Sequence, residues 1–278
     1  MGLGDAPTPP ATGRIRIATW NLWWHFGPWR ERQAAIVETM RAVDADVWCL
    51  QEVFTAADGS DQAADLAAAL GGFHVAHGSR FDLAVFPESI GNAVLSRWPI
   101  VGSEVRDLPA PDGLDELRCV VRADVDAPTG PLSVYSTHLN WHLDQSDVRQ
   151  EQVRTLCGFV AEGTRADAFP PVVGGDFNAA PESDEIRMLT GLTTVPVRGL
   201  VFVDTWAARG AGPGLTWDNA NPFAAGEREP SRRIDHVLVG LPGPAGVGEV
   251  LAVDRFADRP VGGVWPSDHA GIVATLRA

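Results

Sequence analysis

The segment Val172-Val173-Gly174-Gly175-Asp176-Phe177-Asn178, entered through Pro170-Pro171, decides how this chain is built. Proline holds φ near −65° and lacks an amide donor, so the pair marks the start of a new element. Two valines then favour a strand. The apolar run stops at Gly174-Gly175, and the next side chains, Asp176 and Asn178, are polar. A short, wholly apolar strand that ends in polar residues belongs inside a layered α/β domain. Working outward supports this. A helix is predicted over 146–161, with Val148, Val153, Leu156 and Val160 along one face, and a strand over 132–138 that ends at His138.

The N-terminal part has the same rhythm. Residues 15–20 read as a strand ending at Asn21, and 29–43 as a helix with Ile36, Met40 and Val43 at helical spacing. A second strand over 46–50 ends at Gln51-Glu52, and an alanine-rich helix over 61–70 is stopped by Gly71-Gly72. Strands follow at 73–75, 83–86, 92–95 and 119–125. Beyond Asn178 we expect a short helix over 182–189, a Gly/Pro-rich surface loop over 210–230, strands over 234–239 and 248–253, a loop over 257–269 and a last strand over 272–276. No repeat or linker divides the chain. Residues 1–13 read as a flexible tail and 14–278 as a single domain.

A chain of 278 residues, 45% hydrophobic and 21% charged, can bury a substantial core. Its 22 basic residues are all arginine and its acidic residues number 36, giving a net charge of −14. That argues against a broad cationic surface for nucleic acid or anionic membrane. A carboxylate-rich pocket that loads divalent cations would also lower the net charge, so charge alone does not settle function. Coding bias is the favoured reading of the arginines over their fit to phosphate. Three cysteines without CxxC spacing indicate neither a disulfide framework nor structural zinc, so a cytoplasmic location is expected, with secretion open if a signal has been removed. No apolar run reaches the roughly 18 residues a membrane span needs.

Polar residues gather at the ends of the apolar runs: Asn21, Glu52, His138 with Asn140, Asp176 with Asn178, Asp235, and Asp268 with His269. Side chains at strand ends converge on one rim, where sites form. Singly they say little. Asp176 suits an Asx turn after two glycines, and His138 a satisfied core histidine.

Taken in order, Ile17-Ala18-Thr19-Trp20-Asn21, Leu50-Gln51-Glu52, Ser136-Thr137-His138-Leu139-Asn140, Gly175-Asp176-Phe177-Asn178, Arg233-Ile234-Asp235-His236 and Ser267-Asp268-His269 resemble the endonuclease/exonuclease/phosphatase superfamily. The resemblance implies a DNase I-like four-layer α/β sandwich, two packed β-sheets flanked by helices, and a metal-dependent phosphoesterase. Such hydrolysis needs a positioned water, a base, and positive charge on the phosphate oxygens. Glu52 would supply an oxygen ligand for Mg²⁺ or Mn²⁺, with Asn21 as a neutral ligand or hydrogen-bond donor beside it. His269 is the expected general base, oriented by Asp235. By resemblance, Asp176 and Asn178 position water and phosphate, His138 donates to a phosphate oxygen, Asp268 supports the metal, and Asn140 contacts substrate.

Two departures bear on the substrate. Abasic-site endonucleases carry an aspartate where this chain has Trp23 and a tyrosine where it has His138. The resemblance therefore leans towards the DNase-like, sphingomyelinase-like and inositol-phosphatase-like branches. Nucleic acid, a lipid headgroup and a small phosphate ester all stay open as substrates, and a non-catalytic binding module is the reading from another class. No obligate protein partner is indicated. Of ten tryptophans, Trp23, Trp24, Trp141, Trp217 and Trp265 lie near the site segments, where stacking competes with packing as their role. Arg80, Arg118, Arg232 and Arg233 are phosphate-binding candidates by chemistry. His25, His74, His77, His142 and His236 are taken as structural or surface residues, with His236 facing away from Asp235 across its strand.

Overall fold

In the strand β1 (Arg14–Asn21), Ile15 and Ile17 face one core and Ala18 and Trp20 another, so both faces of the strand are covered. That double burial sets the architecture. The computed structural model describes residues 13–79, 87–110, 117–165 and 168–278. The expected strand at 83–86, Arg80 and residues 1–12 lie outside the described residues. After β1 come α1 (Trp29–Val43), β2 (Val47–Ala56), α2 (Gln62–Ala69), β3 (His74–Ser79), β4 (Glu88–Ser96), β5 (Ile100–Leu108), β6 (Arg118–Ala127) and β7 (Gly130–His138). The rest are α3 (Ser146–Gly163), β8 (Val172–Asp176), α4 (Asp184–Leu189), β9 (Phe202–Asp204), α5 (Thr205–Arg209), α6 (Pro222–Gly226), β10 (Asp235–Gly240), β11 (Val250–Phe256) and β12 (Gly271–Arg277).

The strands form two six-stranded sheets, ordered β11-β12-β1-β2-β4-β3 and β5-β6-β7-β8-β10-β9. Ile15, Ile17, Val47 and Val94 of the first pack against Val121, Val134, Val172 and Val237 of the second. Helices cover the outer faces. Ile36, Met40 and Leu66 lie on Trp20, Trp48 and Leu95, while Leu156, Phe159 and Ile186 lie on Tyr135, Val173 and Leu238. Each such fully buried side chain contributes about 1.5–3 kcal/mol. Helix, sheet, sheet, helix is the DNase I-like sandwich expected from the sequence. Gly174 is needed where the sheets meet, because a Cβ there would lie 2.7 Å from Cys49 Cβ.

Several boundaries follow local chemistry. Helix α1 covers the predicted residues and stops at Asp44, which adopts a left-handed φ of 50°. Asp61 caps α2 by accepting from Ala64 N, and Gly71 and Gly72, at φ 98° and 92°, end it. Other expectations are corrected. Strand β2 does not end at Gln51-Glu52 but runs on to Ala56 through a bulge, where these two residues oppose a single position of β4. Strand β5 is absent from the sequence reading because it is an edge strand with mostly exposed residues and no one-sided apolar alternation. Strand β9 and helix α5 are too short to show a period. The stretch 210–230 is less a loose loop than expected: it contains α6 and the buried Trp217, which bridges to Arg232 and His269.

Candidate active site

Register lines up the catalytic candidates. On the second sheet His138 of β7 pairs with Asp176 of β8, and Asp176 with Asp235 of β10, so three side chains stand in one row across three strands. On the first sheet Asn21 of β1 pairs with Gln51 of β2, and the bulge turns Glu52 at φ 52°. The two sheet ends face one another. Gln51 Nε2 donates to Ser136 Oγ at 3.1 Å across the gap between them. The loop before β12 closes the site: Ser267 Oγ donates to Asn21 O at 2.7 Å, and Trp20 Nε1 donates to His269 O at 3.0 Å.

Glu52, His138, Asp176, Asn178, Asp268 and His269 line a cavity of about 330 Å³, while Asn21 and Asp235 stand behind that lining. Asn21 Nδ2 donates to Glu52 Oε1 at 2.9 Å and to Asp176 Oδ2 at 3.1 Å, while its Oδ1 accepts from Trp23 N. His269 Nδ1 lies 2.9 Å from Asp235 Oδ2, and its Nε2 lies 3.7 Å from Asp176 Oδ2. Asp176 Oδ1 accepts from Asn178 N, which pins the turn after β8 with Asn178 at φ 50°. Non-glycine residues at positive φ are uncommon, and here two of them carry site side chains.

The electrostatics divide the two histidines. Burial alone would lower the His269 pKa, but Asp235, Asp176 and Asp268 outweigh it and hold the group well above the ordinary value. His138 goes the other way: burial, Arg118 and His269 keep it well below. His138 is therefore neutral near pH 7. Asn178 Nδ2 contacts both His138 Nε2 and Leu139 O at 3.1 Å, so the hydrogen-bond network assigns Nε2 as the acceptor and leaves the His138 proton on Nδ1. Burial pushes the Glu52 carboxyl up, and burial together with nearby Glu52 pushes Asp268 up to about 7. Two buried carboxyls held above their usual range suit a place where a cation would favour their charged forms. Separately, ligand atoms of Asp176, Asp235 and His269 all fall within 4.8 Å of one another, a buried Asp-Asp-His group.

Not every candidate reaches the cavity. Arg118 and Trp141 line it. Asn140 does not: it is fully buried, its Nδ2 donating to Gln145 Oε1 and its Oδ1 accepting from Gln152 Nε2. Arg233 is buried in a double contact with Asp204, and Arg232 pairs with Glu229. His236 faces away from Asp235 as expected, with its Nδ1 on Arg233 and its Nε2 on Ala179 O.

Arg32 is the residue the sequence reading missed. Its guanidinium is fully buried and donates to five carbonyls, those of Leu22, Trp23, Trp24, Phe26 and Pro266. It thereby ties the loop after β1 to the loop that carries Asp268 and His269. Burial lowers its pKa to about 10, with Asp268 and Glu52 opposing the fall. The signal was its position four residues before Ile36, on the apolar face of α1.

Two packed sheets with a histidine and carboxylates gathered at their strand ends define a class, the DNase I-like phosphoesterases. The Endonuclease/Exonuclease/phosphatase family model matches residues 18–269, and the chain belongs to that family, whose members hydrolyse phosphoester bonds. Solved structures agree in fold. An endonuclease/exonuclease/phosphatase from Bacteroides vulgatus is 20% identical with a TM-score of 0.73, covering 95% of this chain and 99% of that one. One from Beutenbergia cavernae DSM 12333 is 27% identical with a TM-score of 0.66, covering 95% and 71%. D. rerio TDP2, complexed with single strand DNA product, is 19% identical with a TM-score of 0.75, covering 96% and 100%. No curated protein sequence matches. Among the described residues no helix is long and apolar enough to cross a membrane.

Proposed function

We propose that this chain is a divalent-metal-dependent hydrolase of phosphate esters, a phosphodiesterase or phosphatase in which the Asp235–His269 pair activates water. The observation that carries the reading is the His269 ring itself, bound at Nδ1 by Asp235 and presenting Nε2 beside Asp176 on the cavity floor. Asp235 fixes the ring orientation and favours the imidazolium formed when a proton arrives. The water oxygen bonds to phosphorus, the water proton passes to His269 Nε2, and the ester oxygen leaves as an alcohol after taking up a proton. Asp176 and Asn178 hold the water and the phosphate.

Glu52 and Asp268 are the residues that would hold Mg²⁺ or Mn²⁺, both of which prefer carboxylate oxygens. When bound, such an ion supplies Lewis-acid charge on a phosphate oxygen. Three carboxylates hold His269 protonated, so it becomes a base only towards the alkaline side of the ordinary histidine range.

A nuclease is the second reading, favoured by the fold shared with a protein solved with single strand DNA product. Metal-stripped protein titrated with Mg²⁺ or Mn²⁺ against supercoiled plasmid, a lipid phosphodiester and soluble phosphomonoesters tests both. Metal-dependent release from any substrate supports the phosphoesterase, plasmid nicking selects the nuclease, and silence with all three returns the binding-module alternative.

A further inference from the structure

The cavity mouth is built from chemistry that the hydrolytic reaction does not use. On one side stand Trp23 and Phe26, ring centroids 6.3 Å apart and tilted by 46°, with Phe26 46% exposed. Trp141, also 46% exposed, contributes another part of the lining and is stacked on His142 at 3.8 Å. An exposed tryptophan braced by a neighbouring ring offers a rigid flat face that costs little entropy to occupy. The remaining wall carries Glu227 and Glu229, whereas Arg228 between them is not part of it. Glu229 is held by Arg232, so that arginine is already engaged by a carboxylate. Among the described residues lining the cavity, Arg118 is the single arginine, and it lies at the floor, where its charge acts on Glu52 and His138.

Positive charge is therefore concentrated where one phosphate would sit, and the mouth meets the rest of the substrate with aromatic rings and carboxylates. A chain of further phosphates leaving the cavity would pass Glu227, next to a Glu229 already paired with Arg232, on a protein of net charge −14. Tracking a phosphate backbone needs a basic groove, and the described residues of this mouth supply no arginine besides Arg118. The aromatic surfaces call instead for a flat organic group. Resting on the phosphoesterase reading above, we propose that the substrate is a single, isolated phosphate ester bearing a planar aromatic group, which stacks on the exposed Trp141 and Phe26 of the mouth, Trp23 being already packed against Arg32 and Phe223. Trp141 and Glu227 are then specificity-determining residues: the first gains affinity for the ring, and the second rejects neighbouring phosphates.

The test uses the full chain with Mg²⁺ and three probes: a dinucleoside monophosphate with one phosphate between two bases, a hexanucleotide of the same base, and a dialkyl phosphate. The proposal expects kcat/KM per bond to be highest for the dinucleoside monophosphate and lower for the hexanucleotide, with the gap narrowing as salt screens the mouth. Trp141→Ala should lower the dinucleoside-to-dialkyl ratio of kcat/KM about tenfold, mainly through KM, as expected for losing one stacking contact. Glu227→Gln should raise relative activity on the hexanucleotide. A dialkyl phosphate cleaved as well as the dinucleoside would overturn the aromatic subsite. A hexanucleotide favoured at low salt and lost at high salt would overturn the single-phosphate claim. Hydrolysis of none of the three while a soluble alkyl phosphomonoester is cleaved would overturn this inference and leave the phosphoesterase reading standing, whereas silence with the monoester as well, with or without metal, would remove both.

Discussion

His269 Nδ1, in the loop before β12, stands 2.9 Å from Oδ2 of Asp235, the first residue of β10, and both residues are buried. Two segments 34 residues apart in sequence are thus joined by one charge-assisted hydrogen bond. The bond holds because Thr216 Oγ1 accepts from Asp235 N while Trp20 Nε1 holds His269 O, so neither partner is free to turn away. Its first consequence is kinetic. Asp235→Asn and His269→Ala should each lower turnover by about 10² or more, the usual contribution of a positioned acid–base group. Steady-state rates at saturating metal measure this, and near-normal turnover in either variant would remove the pair from the mechanism.

The pH profile follows from the direction of the His269 shift. Its pKa is raised by Asp235, Asp176 and Asp268 against the effect of burial, so the base form appears only as pH climbs above the ordinary histidine value of about 6.5. Activity should rise with pH through an acid limb centred above that value. Asp235→Asn removes one of the raising charges, so its residual activity should show a limb displaced to lower pH. Rates across pH 5 to 10, extents checked by tryptophan fluorescence, decide it; a limb unmoved by the substitution contradicts the assignment.

Asp268 gives a stability test. Its folded pKa of about 7 lies above the usual carboxylate value, so the folded metal-free protein keeps this proton while the unfolded chain loses it. Its contribution to stability is therefore present at acid pH and is lost as pH rises towards 7. Asp268→Asn should raise the Tm of metal-free protein at pH 7. Mg²⁺ should raise the wild-type Tm, because an ion bound only by the folded state stabilises it, and that rise should shrink in Asp268→Asn. Thermal melts with and without metal read both effects, and an equal metal response in the two proteins would place the ion elsewhere.

Arg32 is tested by Arg32→Met. The variant leaves five buried carbonyls without their donor and should lose at least about 3 kcal/mol in urea unfolding. A loss under about 1 kcal/mol would mean that water replaces the guanidinium there.

Gly174→Ala tests the contact between the sheets. The added Cβ would meet Cys49 Cβ at 2.7 Å and Sγ at 2.8 Å, and overpacking of this kind costs about 1–3 kcal/mol. Unfolding midpoints for the variant and wild type give the answer.

The contrast between Asp176 and Arg32 shows how much was legible. Asp176 was readable because a short apolar strand with prolines before it and glycines within it leaves one place for the next polar residue. Layering, the helix 29–43 and the gathering of strand-end residues came from the same local logic. Arg32 acts through backbone carbonyls of Leu22, Trp23, Trp24, Phe26 and Pro266, and no sequence pattern marks a carbonyl as an acceptor. Strand β5 hid because an edge strand is held by backbone pairing with β6 rather than by a buried face. Asn140 looked like His138 in sequence, yet it sits one residue beyond Leu139, where the chain turns inward and Gln152 takes its amide. The bulge at Glu52 depends on pairing with β4 and so lay beyond any window on β2 alone.

Metal-stripped protein, with His269→Ala alongside, is assayed for its initial rate of phosphodiester hydrolysis as Mg²⁺ or Mn²⁺ is added back. The expected result is no rate without metal, a saturable rise on addition, and a rate lower by about 10² or more in the variant at every metal concentration. Hydrolysis that ignores the metal, or that survives intact in His269→Ala, would contradict it.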